Sequence, residues 1–344
     1  MEAQLTAFFN NQGNWMLVLE IVAILAVLGK AADWLVGEAV VLSERSGLPK
    51  VIIGATIVSL GTTAPEAAVS VLAAFGGNPG VALGNAVGSI ICDTGLILGI
   101  ACLIMPLKMP RQIVNRQGWL QFGSGWLLVA ACWPWGGNPL QGGGILSQWM
   151  GWVFLGLLIG YLILSVRWAK TLGGTTELEE FETDGNAPLA FVVVKLLVAI
   201  ALVVAMSTVL IPAIEVAAKR MGVPQSIVAA TLVAFGTSLP ELVTAVTAAR
   251  KDHGDLAIGN IIGADILNVL FVAGASAAVT QQGLKATPDF FKVLFPSMLM
   301  VLLVFRIGVF FSKDRLQRPF GTILLVVYIM TMVVSYTVLG HAGH

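Results

Sequence analysis

The chain reads as a succession of apolar runs, each about 20 residues long, and this pattern decides what it can fold into. A hydrocarbon layer roughly 30 Å thick takes about 20 apolar residues of α-helix to cross, with every backbone group paired inside the segment. About ten such runs follow one another, over 15–42, 51–75, 80–106, 118–135, 145–168, 188–217, 225–249, 255–279, 288–311 and 319–340. The breaks between them carry glycine, proline and charge, as in "FGGNPG", "KMPRQIVNRQ" and "RKDHGD". Hydrophobic residues make up 57% and charged residues 11%, against roughly 25% charged in ordinary globular domains. The expected fold class is an all-α integral membrane protein with ten transmembrane helices.

Formal net charge is zero, so nothing points to nucleic acid. Cys92, Cys102 and Cys132 sit in apolar stretches without metal-ligand spacing and read as small hydrophobes. The opening "MEAQLTAFFNNQGN" lacks a basic region and leads into a long apolar run, so no cleavable signal is expected.

With ten spans, one side collects Arg45, Lys50, Lys108, Arg111, Arg116, Arg167, Lys170, Arg250, Lys251, Lys313, Arg315 and Arg318. The other collects Lys219, Arg220, Lys285 and Lys292. The positive-inside rule makes the first side cytoplasmic and places both termini outside. The acidic stretch around 171–187 then becomes a cytoplasmic linker between a first half, 1–170, and a second, 188–344.

The halves share a repeat. Aligning Glu66 with Glu241 sets "GLPKVIIGATIVSLGTTAPE" over "GVPQSIVAATLVAFGTSLPE" and "VALGNAVGSIICD" over "LAIGNIIGADILN", without a gap. The copies cover about 47–100 and 222–275, and roughly a third of their positions are identical. Five spans, an odd number, separate them, so the copies are expected in opposite orientations, five helices to each half. Secondary transporters have that architecture and place substrate near the midplane between the repeats.

Glu66 and Glu241 lie near the middle of their runs, where a charge costs roughly 2.5–3.5 kcal/mol on insertion scales. Pro65 and Pro240 deny the helix an N–H and loosen the carbonyls before them. Thr62, Thr63, Thr237 and Ser238 add hydroxyl oxygens. Asp93 and its counterpart Asn268 lie mid-run in the partner helices, with Ser89 a turn before Asp93 where the second copy has Ala264. Gly84 and Gly88, like Gly259 and Gly263, form small-residue pairs for close helix packing. Oxygen donors rich in carboxylate, without His or thiolate, suit a hard cation such as Ca²⁺ or Na⁺ and disfavour zinc, copper and iron. A channel would line a pore with similar groups, but duplication within one chain favours alternating access. Asp93 and Asp265 lack the surroundings of an aspartyl hydrolase, so no enzyme activity is expected. Lys30 and Asp33, three apart, are expected to pair.

"GTTAPE…GNAVGS" and "GTSLPE…GNIIGAD" resemble the two alpha-repeats of the cation/calcium antiporter superfamily, in particular its sodium/calcium exchanger branch. The resemblance implies two inverted five-helix halves, cations held around the two glutamates, and first and sixth helices that slide. By motif position it implies Thr62, Thr63, Glu66, Ser89, Asp93, Thr237, Ser238, Glu241 and Asn268 as ligands. It adds the backbone carbonyls of Ser59 and Ala234, with Asn85, Asn260 and Asp265 supporting from behind. The chain departs from the usual pattern at three points. The aspartate stands in the first repeat and the asparagine in the second, Ala264 lacks a hydroxyl, and Asp265 adds an acid. The implied activity is exchange of Ca²⁺, or another hard divalent cation, for Na⁺, with H⁺ as the alternative coupling ion and no cofactor. The lipid bilayer and inorganic cations are the expected partners, a single chain suffices for the site, and the cell (inner) membrane is the expected location.

Overall fold

A computed structural model describes residues 2–172, 188–221 and 236–339. The first stretch holds α1 (Glu2–Asn10), α2 (Asn14–Ser46), α3 (Lys50–Ile53), α4 (Ser59–Thr62), α5 (Ala64–Phe75), α6 (Pro79–Ile91), α7 (Leu98–Ile104), α8 (Arg111–Cys132), α9 (Pro139–Gly142) and α10 (Gln148–Leu172). After it come α11 (Leu189–Arg220), α12 (Leu239–Arg250), α13 (Gly254–Leu267), α14 (Gly274–Ala278), α15 (Phe295–Phe311) and α16 (Arg318–Leu339). Four π-helical turns join them, π1 (Gly54–Val58), π2 (Cys92–Ile97), π3 (Asn268–Ala273) and π4 (Phe290–Leu294). The short strands β1 (Leu107–Lys108), β2 (Gly144–Leu146), β3 (Leu284–Ala286) and β4 (Arg315–Leu316) complete the set.

Among the described residues, seven helical segments are long and apolar enough to cross a membrane, and the pair Lys50–Thr62 with Ala64–Phe75, bent by 43°, brings the number to eight. The helix α8 is not among them, because Asn115, Gln117, Gln121 and Ser124 interrupt its apolar run. The expected run 225–249 lies partly outside the described residues. The acidic linker and the C-terminal residues 340–344 lie outside them also.

Burial sorts the segments into layers. Inside the protein lies 94% of the apolar window of Gly254–Ala278 and 72% of that of Pro79–Ile104, against 22% for Asn14–Ser46 and 28% for Leu189–Ala217. The repeat helices therefore form the centre, while α2 and α11 pack against each other with apolar outer faces. Glycine permits the central crossing. A Cβ on Gly263 would stand 2.6 Å from the Ala55 Cα, and one on Gly54 would stand 2.6 Å from the Leu256 carbonyl oxygen. Among the described residues, Gly84 and Gly88 meet nothing closer than 3.9 Å. The repeat counterpart of the Val51–Ala55 stretch lies outside the described residues.

Two features had no clear trace in the hydropathy pattern. Strand β1 pairs antiparallel with β4, and β2 with β3. The N-terminal residues form α1, whose Phe9 packs with Leu17, Ala213 and Val216 while Arg220 donates to the carbonyls of Phe9, Asn10 and Gln12. Charge pairing also differs from expectation at Asp33. Its carboxylate meets Lys251 Nζ at 3.1 Å rather than Lys30, because the end of α12 comes to lie beside α2. Glu38 on α2 pairs with Lys195 on α11 at 3.5 Å.

Candidate functional site

Both proline motifs sit at breaks in the helical backbone. Helix α4 stops at Thr62, and α5 starts at Ala64 with Pro65 in its first turn. Gly236, Thr237 and Ser238 precede α12, which has Pro240 in its first turn. Proline is tolerated there because the first-turn N–H groups have no helical acceptor. Glu66 and Glu241 fall in those same first turns, where the positive end of the helix dipole favours negative charge. The two copies share their turn as well. Gly77 (φ 83°) and Asp252 (φ 59°) occupy equivalent positions, each in the left-handed region, before the partner helices α6 and α13.

The repeats meet through side chains. Thr63 Oγ1 donates to Glu241 Oε1 at 3.1 Å. Asn268 Nδ2 lies 3.4 Å from Asp93 Oδ2. Thr237 Oγ1 donates to Asn85 Oδ1 at 3.3 Å, and Asn85 Nδ2 in turn donates to Ser70 Oγ at 2.9 Å and the Glu66 carbonyl at 3.5 Å. Asp93 and Asn268 each open or lie in a π-helical turn, π2 and π3, where the backbone widens. Such single turns recur at functional sites.

Glu66, Asp93, Glu241, Ser89, Ser238 and Asn268 are all buried. Among the described residues, both oxygens of Glu66, one each of Glu241 and Asp93, the hydroxyls of Ser89 and Ser238, and the Asn268 amide oxygen have no hydrogen-bond partner. Buried acceptors are normally paired, and a charged one left alone is costly. A concentration of them at the repeat interface fits a hard cation. Among the described residues, no three carboxylate, imidazole or thiol groups converge closely enough to hold a metal ion on their own. Hydroxyl, amide and backbone oxygens must therefore complete any coordination.

Thr62 is buried too, and its hydroxyl turns to the Ser59 carbonyl at 3.4 Å. That carbonyl also accepts the Thr63 N–H at 2.8 Å, so its lone pairs are committed within the helix in this conformation. Ala234 lies outside the described residues. Asn260 is fully buried, and among the described residues neither its amide nitrogen nor its oxygen has a partner. Asp265 accepts hydrogen bonds from Thr94 Oγ1 and from Gln121 Nε2. Thr94 and Gln121 were not anticipated at the site. A signal existed for Gln121, since Gln117, Gln121 and Ser124 recur at helical spacing within an apolar run.

The sodium/calcium exchanger protein family matches residues 16–167 and 191–337, most of both halves. The inner membrane protein YrbG of Escherichia coli is 33% identical over 330 residues, covering 92% of this chain and 96% of that protein. The sodium/calcium exchanger MaX1 of Methanosarcina acetivorans is 27% identical, covering 91% of this chain and 96% of its own length. A solved structure of the sodium-calcium exchanger NCX_Mj superposes with a TM-score of 0.76 at 25% identity, covering 92% of this chain and 98% of the other. Helices of membrane-spanning length, a duplicated acidic motif and these matches agree, and the chain belongs to the sodium/calcium exchanger family of integral membrane cation antiporters.

Proposed function

We propose that the protein exchanges Ca²⁺ for Na⁺ by alternating access, at a site held midway through the membrane between two inverted five-helix repeats. The observation that carries this reading is the set of buried, unpartnered oxygens from Glu66, Glu241, Asp93, Asn268, Ser89 and Ser238, contributed by both repeats. A divalent cation offsets the charge of two carboxylates, and flexible oxygen coordination suits Ca²⁺. Thr62, Thr63, Thr237 and the carbonyls of Ser59 and Ala234 complete the set as the ion enters. Asn85 holds the chain behind it through Ser70 and the Glu66 carbonyl, and Asn260, its repeat counterpart, backs the site from the second half.

The ten-span reading counts the eight segments above, the polar-faced α8, and the segment ending in α12. The inverted arrangement draws support from the two ends of the molecule. A Cβ on Gly254, the first residue of α13, would lie 2.6 Å from the Lys108 backbone nitrogen in β1, whereas α6 packs on β3 of the other strand pair. Those pairs lie at opposite ends of α8, which spans about 33 Å. Lys50, Lys108, Lys251 and Arg315 gather at the β1–β4 end, with Lys108 Nζ 3.0 Å from Asp252, and this end is read as cytoplasmic. Both termini then face out of the cell membrane. The long packed pair α2 and α11 supplies the sliding helices.

Coupling to H⁺ is the second reading, favoured by Ala264, which lacks the hydroxyl that Ser89 provides in the first repeat. The deciding experiment is ⁴⁵Ca²⁺ uptake by proteoliposomes under separately imposed Na⁺, K⁺ and H⁺ gradients. Uptake driven by outward Na⁺ supports exchange, uptake driven only by H⁺ supports the second reading, and uptake without any counter-gradient sinks both.

A further inference from the structure

Four carboxylates are buried at the centre, Glu66, Asp93, Glu241 and Asp265, each 1% exposed. None forms an ion pair with Lys, Arg or His among the described residues. One divalent ion compensates two negative charges, and an uncompensated buried carboxylate is too costly to persist. The other two carboxylates take a proton each or a further cation, and Asp265 has its own setting. We propose that Asp265, Thr94 and Gln121 form an additional site for a monovalent alkali cation, beside the divalent site, a proposal that rests on the exchange reading above.

The geometry separates this cluster from the glutamate pair. Asp265 Oδ2 accepts from Thr94 Oγ1 and from Gln121 Nε2, the latter at 2.5 Å, and Gln121 Nε2 lies 3.2 Å from Thr94 Oγ1. Gln121 comes from α8, outside both sequence repeats. Asp265 Oδ1 and Gln121 Oε1 are buried without a hydrogen-bond partner among the described residues. In this state the amide N–H is the positive dipole beside the carboxylate. Turning the amide by half a rotation brings Oε1 inward without moving α8. The carboxylate, the hydroxyl and the amide oxygen would then make up the donor set. An all-oxygen donor set with a single negative charge matches a hard monovalent ion.

The sequence makes this pocket one-sided. The repeat counterpart of Asp265 is Ile90, and that of Thr94 is Val269. Duplication therefore did not produce it, and it belongs to one half of the exchange site only. It also stands next to Ala264, where the hydroxyl of the first copy is missing.

The test measures ²²Na⁺ binding to the purified full chain in detergent, with K⁺ as competitor. In a Glu66→Gln, Glu241→Gln background, which disables the divalent site, ²²Na⁺ binding should persist. Adding Asp265→Asn should abolish it, and adding Gln121→Leu should weaken it about tenfold or more. A background that binds no ²²Na⁺, or binding that survives Asp265→Asn, overturns the proposal. So does proton release dependent on Asp265 in place of sodium binding. If Asp265→Asn fails to fold, Thr94→Val and Gln121→Leu carry the test, and unchanged binding in both overturns it. Asp265-dependent ²²Na⁺ binding in a parent that exchanges no Ca²⁺ would instead sink the exchange reading alone.

Discussion

Asn268 Nδ2 faces Asp93 Oδ2 at 3.4 Å, so two residues 175 apart that hold the same place in the two repeats meet at the centre of the molecule. Each lies where an α-helix widens into a π-helical turn, and together they supply one negative charge and one amide. If both repeats surround one ion, the charge is needed and its repeat of origin matters less. Asp93→Asn should weaken Ca²⁺ binding about tenfold or more. The double change Asp93→Asn with Asn268→Asp should recover part of the loss, because it restores the charge across the interface. Recovery should be incomplete, since Ser89 faces Ala264 in the alignment and Asp265 crowds the second copy. ⁴⁵Ca²⁺ affinity of parent, single and double variants checks this; a double variant no better than Asp93→Asn would show that the halves are not interchangeable.

Glu66→Gln and Glu241→Gln should each abolish exchange and leave folding intact. Glutamine keeps the shape and still offers Oε1 to the Thr63 hydroxyl, which now donates to Glu241. Flux in proteoliposomes, with gel filtration of the purified variants as the folding control, reads the two effects apart. Near-parental flux in either variant would remove that residue from the site.

Close packing at the central crossing gives a contrast with an open glycine. A Cβ on Gly263 would press on the Ala55 backbone at 2.6 Å, and backbone cannot step aside. Gly263→Ala should therefore destabilise the protein by about 1–3 kcal/mol, the usual range for overpacking. Gly123 on α8 is exposed and has nothing within 4 Å of its Cβ position among the described residues, so Gly123→Ala should be neutral or slightly stabilising. Thermal melts in detergent compare them; equal shifts would contradict the crossing described here.

Outside the membrane-spanning segments, His253 is half-buried, with Lys50 Nζ 3.4 Å from its Nδ1. Burial, then the Lys50 charge, push its pKa from 6.5 down to about 4. The unfolded chain takes up this proton first as pH falls, so the contribution of neutral His253 is complete above about pH 6.5 and is lost down to about pH 4. Asp252, held low by hydrogen bonding to Lys108, adds a loss of the same sign in more acid solution. Melting temperature should fall between pH 7 and 4, and His253→Gln should flatten that part of the curve. An unchanged slope in the variant would mean another group titrates.

Topology is open to labelling. Cysteines introduced at Glu180 and His344 should react from opposite sides of the membrane in intact cells, the first from the cytoplasm and the second from outside. Reaction from the same side would break the inverted arrangement.

The sequence by itself determined the membrane class, the bounds of most described long helices to within a few residues, and the alignment of Glu66 with Glu241. Each rests on a local or periodic property: run length against bilayer thickness, proline and glutamate in an apolar run, and identity at a fixed offset. It also placed Gly263 at a close crossing, because small residues four apart on a buried helix have few other uses. Only the tertiary structure decided which oxygens face one another. The link from Thr63 to Glu241 spans 178 residues, and that from Gln121 to Asp265 spans 144. Neither is written in any local pattern, because a side chain on an unrepeated helix can reach the centre only once packing has brought that helix there. The same reason turned Asp33 away from Lys30, three residues off on its own helix, toward Lys251 on another. Helix-local spacing sets which groups share a face, and the packing of helices decides which of those faces meet.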